Sequence, residues 1–472
     1  MRTDSNDAPL TPDSTDGPHR RRWWESIGPG LITACVVIGP GSILTSSQVG
    51  ARHGFSMSWI VIVVTFFMMI YMTMGARLGV ETSESAGDLI AKRAGRWLAV
   101  MIGLAIFFIS AAFQFGNNLG VHNAFAEFFE FDYVIVVFNA AAIAFLFGFK
   151  NLYRAVERLM MAFVALMLLS FAVNLVFARP NLVELLQGLM PTRDTLNALA
   201  IGFIPEKQQT ADLAVAGLAG TTFVSSAAFF QIYLVKQKGW GREQLRSGSF
   251  DARIGSVLMA LITLMILWTA AAGLRGEQLT HIRDVAKGLE PLFGGAGTPI
   301  FCLGLFCAAY SSFLVNSMIG GFILADGLGL GSKPTDVWPR VFTVAVLLTG
   351  MGIALLNIKL KTNPIAAIIA AQAVTVLAAP LVGGVMLWLS NRHDILGDKK
   401  KSAAHEHFSN RGIIVVAGPV LVCGYGQSDT DNQNVFVLIV PVIYPRSKAA
   451  MPVSIRQYTS SDLPTIKRTT VD

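Results

Sequence analysis

Charge is scarce in this chain: Asp, Glu, Lys and Arg make up 14% of 472 residues, against 53% hydrophobic. A soluble domain carries about a quarter charged residues, and the few charges here sit in loops and tails, so a soluble protein is excluded. Cysteine is almost absent. Cys35, Cys302, Cys307 and Cys423 lie in or near apolar runs with no C-x-x-C pair, which rules out a disulfide framework and reads as small buried hydrophobes. The seven histidines all fall in tails, loops or the end of an apolar run; His405 and His407 read as part of a solvated polar tail, with a metal-catching pair as the alternative.

What the chain has instead is long charge-free runs: 27–51, 57–76, 97–121, 133–149, 159–178, 213–235, 254–273, 298–325, 341–358 and 363–390. Each is long enough to cross an apolar layer of roughly 30 Å as a helix. The later run 411–425 is short and contains Pro419, so it is a possible eleventh helix only. Residues 1–26 form a polar tail expected to be disordered, 27–398 one transmembrane domain, and 399–472 a separate, poorly patterned end.

Lys and Arg occupy alternate short loops. Arg20, Arg21 and Arg22 precede the first run, Arg77, Lys92, Arg93 and Arg96 follow the second, Lys150, Arg154 and Arg158 the fourth, and Lys236, Lys238, Arg242 and Arg246 the sixth. That asymmetry predicts a multi-pass protein of the cell membrane with a cytoplasmic N-terminus. The net charge of +7 therefore reports topology and not nucleic-acid binding. The basic cluster before the first run is expected to precede a retained helix rather than a cleaved signal.

Two runs are interrupted. Gly39-Pro40-Gly41-Ser42 breaks the first, and Val224-Ser225-Ser226-Ala227-Ala228 breaks the sixth. Within hydrocarbon every backbone N–H and C=O must be satisfied, so unwound backbone survives only where protein buries it or a polar cavity adjoins it. Matching breaks in two halves of a chain mark a substrate site near the bilayer midplane, the pattern of a transporter.

Short motifs then carry a family resemblance. They are Gly28-Pro29-Gly30, the break at Gly39, Ala76-Arg77-Leu78-Gly79, Val156-Glu157-Arg158, Ala178-Arg179-Pro180, Leu186-Gln187-Gly188-Leu189-Met190-Pro191, Gly217-Leu218-Ala219-Gly220-Thr221-Thr222, Glu290-Pro291-Leu292-Phe293-Gly294 and Gln372-Ala373-Val374. In this order and spacing they resemble the Nramp family of divalent-metal transporters over residues 27–398. The resemblance implies an all-α integral membrane protein with the LeuT-like inverted repeat, five plus five transmembrane helices, and the first and sixth unwound at the site.

The departures from that family fall at the site itself. Its first-helix motif Asp-Pro-Gly-Asn has Gly39 and Ser42 here in place of the two side-chain ligands, and its sixth-helix Met-Pro-His is Val224-Ser225-Ser226. By family position, the carbonyls of Val36 and Thr221, the hydroxyls of Ser42, Ser225 and Ser226, and the amide of Gln372 face one another, with Gly39, Pro40, Gly41 and Val224 completing the substrate-binding set. Ser42, Thr221 and Gln372 are the candidate metal ligands. Neutral oxygens suit a hard cation, whereas selectivity for Mn²⁺ or Fe²⁺ gains from sulfur. No charge-free run contains a carboxylate, and the positions that carry acidic residues on the family's proton route align with Ala111 and Gln114, so proton coupling through that helix is not expected. Gln114, Asn117 and Asn118 read as interhelical hydrogen-bonding residues. Glu157 is placed to gate with a basic partner such as Arg77, or simply sits at a helix N-terminus; Asp326 reads similarly.

The expectation is a secondary transporter of a divalent cation of the Mn, Fe or Mg class, working by alternating access in a lipid bilayer without a cofactor. A transporter of an amino acid or small polar solute on the same scaffold, and a non-transporting membrane sensor, are the alternatives. With no G-x-S-x-G, no H-E-x-x-H and no carboxylate pair in the body, an enzyme is not expected. Oligomeric state is not legible.

Overall fold

The computed structural model describes residues 28–126, 128, 133–149, 151–192, 195, 213–277, 279, 284–285, 297–360, 381–396 and the backbone of 413–417, 420–426 and 435–439. The order is α1 (Pro29–Val37), α2 (Pro40–His53), α3 (Ser58–Glu81), α4 (Ala86–Ala94), α5 (Arg96–Ala126), α6 (Val134–Gly148), α7 (Leu152–Ala178) and α8 (Leu182–Gln187). It continues with α9 (Leu213–Thr222), α10 (Ser225–Gln237), α11 (Leu245–Gly273), α12 (Gly297–Leu328), α13 (Val337–Leu360), α14 (Leu381–Ser390) and α15 (His393–Leu396). Among the described residues seven helical spans are long and apolar enough to cross a membrane, and α1 with α2, bent by 60°, makes an eighth. The tail 1–26 and Gln372 lie outside the described residues.

Both interruptions are present, each displaced slightly from its sequence-based position. The first is Ile38 and Gly39 alone, with Pro40, Gly41 and Ser42 already in α2, because proline is favourable at the first helical position where its missing N–H costs nothing. The second is Phe223 and Val224, and Ser225 and Ser226 open α10 in place of lying unwound.

Several helices run past the charge-free stretches that announced them. α11 begins nine residues before position 254 and takes in Asp251, and α12 extends through Asp326. Both aspartates lie outside the charge-free runs, yet both are buried in these helices. α5 and α12 form the most extensive pair, seated closely at Gly103, where a Cβ would lie 3.0 Å from Leu324 Cα. Large apolar side chains such as Val137, Phe147, Leu169 and Val176 cover the outer faces of α6 and α7, a surface suited to lipid. At the far end α15 is fastened to α4, with Arg392 Nε and Arg93 Nε each 2.8 Å from the Asp394 carboxylate, which they hold at a pKa of about 2.

The run considered for an eleventh helix is a sheet. β1 (Ile413–Ala417), β2 (Val420–Gly426) and β3 (Val435–Ile439) pair antiparallel, with Ile413 opposite Gly424 and Val422 opposite Ile439. Its β-branched valines and isoleucines favour extended backbone, and Gly418-Pro419 interrupts any helix but suits a turn.

Candidate functional site

Pro40 sets the local chemistry of the first break. In an unbroken helix its N–H would bond the carbonyl of Val36, but proline has none. That carbonyl instead accepts from Ser312 Oγ of α12 at 3.2 Å, while the Gly39 N–H turns back to Val37 O at 3.2 Å. In the second break, Phe223 N–H still reaches Ala219 O at 3.0 Å, and the new helix starts on Val224 O, which accepts from Ala227 and Ala228 at 3.0 and 3.2 Å. Thr221 Oγ1 donates to Gly217 O at 2.8 Å and lies 3.3 Å from Thr45 Oγ1, tying α9 to α2.

Beside the first break is a cavity of about 20 Å³, walled by Val36 and Val37 of α1, Gly39 of the break, Gly41 and Ser42 of α2, Thr221 of α9, and Ala112, Phe113, Gly116 and Asn117 of α5. Its volume suits one water-sized occupant, which needs about 10–15 Å³ on the same measure. No wall residue is ionisable. Five of the residues expected from the sequence thus meet at one place. Pro40 instead packs its ring toward Gly120 of α5, and Val224, Ser225 and Ser226 are buried in the second break without forming the wall. The hydroxyls of Ser42, Ser225 and Ser226 are buried and have no hydrogen-bond partner among the described residues, so they do not return their hydrogen bonds to the helix backbone.

Asn117 was not among the expected site residues. Its signal was available, since Gln114, Asn117 and Asn118 are the polar residues in an apolar stretch, but only the fold separates their duties. Asn118 Nδ2 donates to Gln114 O at 2.8 Å and its Oδ1 accepts from Asn139 of α6 at 2.7 Å, an interhelical link as expected. Asn117 faces the cavity.

The carboxylates lie elsewhere and hold helix ends. Asp251 accepts from the N–H groups of Gly28 and Gly30 at 2.7 and 2.5 Å, so one side chain of α11 satisfies two of the orphan donors that begin α1. Asp326 accepts from Gly87 N–H at 2.7 Å and from the hydroxyls of Ser85 and Tyr233, each at 2.5 Å. Glu157 finds Lys238 as its basic partner, at 2.9 Å. α1 is buried along its whole length, and Thr33 Oγ1 meets Gln231 Oε1 of α10 at 2.6 Å.

Comparison with known proteins gives this arrangement a family. Residues 30–424 match the family model Nramp, natural resistance-associated macrophage protein-like. The chain belongs to the Nramp family. Among similar Nramp proteins are the divalent metal cation transporter MntH of Chromohalobacter salexigens, 26% identical over 395 residues covering 81% of this chain and 86% of that one. The MntH of Deinococcus radiodurans is likewise 26% identical, over 401 residues with the same coverage of 81% and 86%. The solved manganese transporter of Eremococcus coleocola superposes with a TM-score of 0.67 at 17% identity, covering 83% of this chain and 84% of that one. The transmembrane body thus has the Nramp fold, the LeuT-like architecture expected, and is a multi-pass membrane protein.

Proposed function

We propose that this protein is a secondary transporter that carries a divalent cation of the Mn, Fe or Mg class across the cell membrane by alternating access, with its N-terminus cytoplasmic. The observation that carries the reading is the small cavity beside the first helix break, into which Ser42, Thr221 and Asn117 bring neutral oxygen among apolar neighbours and which no ionisable side chain lines. Family membership and relatives named as divalent metal cation transporters support the same reading.

The donors favour a hard ion over a soft one. Val36 carbonyl, Ser42 hydroxyl and Thr221 are oxygen donors of the kind that hold Mg²⁺ or Ca²⁺, and the wall contains no sulfur. Gln372 is kept as a proposed ligand from its family position. The buried Ser42 hydroxyl supports a cargo-facing role, because an unpartnered buried polar group costs about 1–3 kcal/mol that a bound ion would recover. α1 is buried along its whole length on the Gly28 side of the cavity. Ala111 and Gln114 stand where a proton route would need acids, so transport is proposed to proceed without protons moving through α5.

The test is uptake of Mn²⁺, Mg²⁺ and Ca²⁺, each offered alone, into proteoliposomes with an internal pH dye. Saturable uptake with a silent dye is expected. Absence of uptake for all three would overturn the reading and direct the search to small polar solutes.

A further inference from the structure

We propose that Asn117 of α5 supplies the side-chain oxygen that holds the cargo, in the space that Gly39 leaves open. This rests on reading the cavity as the cargo site. Asn117 is 1% exposed and lines that cavity. Its Nδ2 donates to Gln114 Oε1 at 3.4 Å, which directs the Oδ1 away from Gln114 and toward Gly39, where a built Cβ would lie 3.3 Å from it. The neighbouring amides are committed elsewhere: Asn118 Oδ1 to Asn139, and Gln114 Oε1 to Asn117 itself.

A Cβ built on Gly39 would lie 3.3 Å from Asn117 Oδ1 and 3.3 Å from Ser312 Oγ. A side chain at position 39 would thus press from its first carbon against the Asn117 amide and the Ser312 hydroxyl. The two positions are therefore alternatives: an oxygen reaches this point from the first broken helix or from α5, and in this chain it comes from α5. An amide carbonyl is a hard, neutral donor. It favours a hard cation without supplying the negative charge that tightens divalent binding, so the site is expected to be weak and tolerant among hard ions, with little preference for soft ones.

The test uses full-length protein, with Mn²⁺ and Mg²⁺ as probes in calorimetry and proteoliposome uptake, on Asn117→Ala, Asn117→Asp, Gly39→Asp and the exchange variant Gly39→Asp with Asn117→Gly. Asn117→Ala is expected to lower uptake about tenfold, and Asn117→Asp to tighten Mn²⁺ binding by about tenfold or more, because affinity follows ligand charge. Gly39→Asp alone should bind less well than the exchange variant, in which the room for its carboxylate is restored. Wild-type affinity and uptake in both Asn117 variants, with each eluting as folded protein, would overturn the inference while leaving divalent transport intact. If the wild type neither binds nor transports either ion, the transport reading fails. In that case the inference, which rests on that reading, falls with it, whatever the Asn117→Asp variant binds.

Discussion

The two ends of α1 are built on opposite rules. At the Gly28 end the backbone donors of Gly28 and Gly30 are matched by a buried carboxylate, and the Glu157–Lys238 pair stands beside them. At the Gly39 end, a short helix away, ionisable groups are missing from the cavity wall and the Ser42 hydroxyl is buried without a partner. The first arrangement spends polar groups on holding the helix, and the second holds them in reserve. Charge here serves anchoring, and the cavity is bordered by neutral groups alone.

Four substitutions probe that contrast. Asp251→Ala strips the acceptor from two buried N–H groups at once and should cost about 3 kcal/mol or more. Thermal unfolding in detergent measures this, and the α1 thiol Cys35, now fully buried, should become reactive to maleimide. Protected Cys35 in a folded Asp251→Ala protein would show that the carboxylate does not hold α1. Gly30→Ala should follow, at about 1–3 kcal/mol, because its new Cβ would overlap the backbone of Asp251, whose carbonyl carbon lies 2.7 Å from that point. Gln231→Ala removes the 2.6 Å contact with Thr33 and should lower stability by about 1 kcal/mol, with Cys35 labelling rising less than in the aspartate variant. Ser42→Ala should do the reverse of all three. Losing an unpartnered buried hydroxyl leaves the melting temperature unchanged or slightly raised, while divalent uptake falls; a drop in stability with full uptake would erase the distinction between the two ends.

The contrast explains which parts of the molecule could be read from the chain. Proline and glycine act locally, so both helix breaks were legible to within a few residues; their small displacement came from Pro40 and Ser225 being acceptable helix openers. Charge-free runs located the spans but truncated α11 and α12, because an aspartate in a sequence window looks incompatible with a membrane helix. Asp251 is tolerated since its donors arrive from Gly28 and Gly30, more than two hundred residues earlier, a pairing no local pattern announces. Asn117 and Asn118 look equivalent in sequence, and only the packing of α6 and of the first break against α5 assigns one to structure and the other to the cavity. The β-branched run after 411 was the reverse case, where apolar composition outweighed the residues' preference for strand.

α1 has only nine residues, and its chain continues through Ile38 and Gly39 with a 60° bend and no continuous ladder of hydrogen bonds. Mechanically it is a lever of about 13 Å with its pivot beside the cavity. Turning such a lever by about 10° at Ile38 displaces the Gly28 end by about 2 Å, enough to stretch its contact with Asp251 toward the roughly 3.5 Å limit of a hydrogen bond. A small turn at the bend is thus magnified at the opposite end of α1, where the contacts to Asp251 resist it.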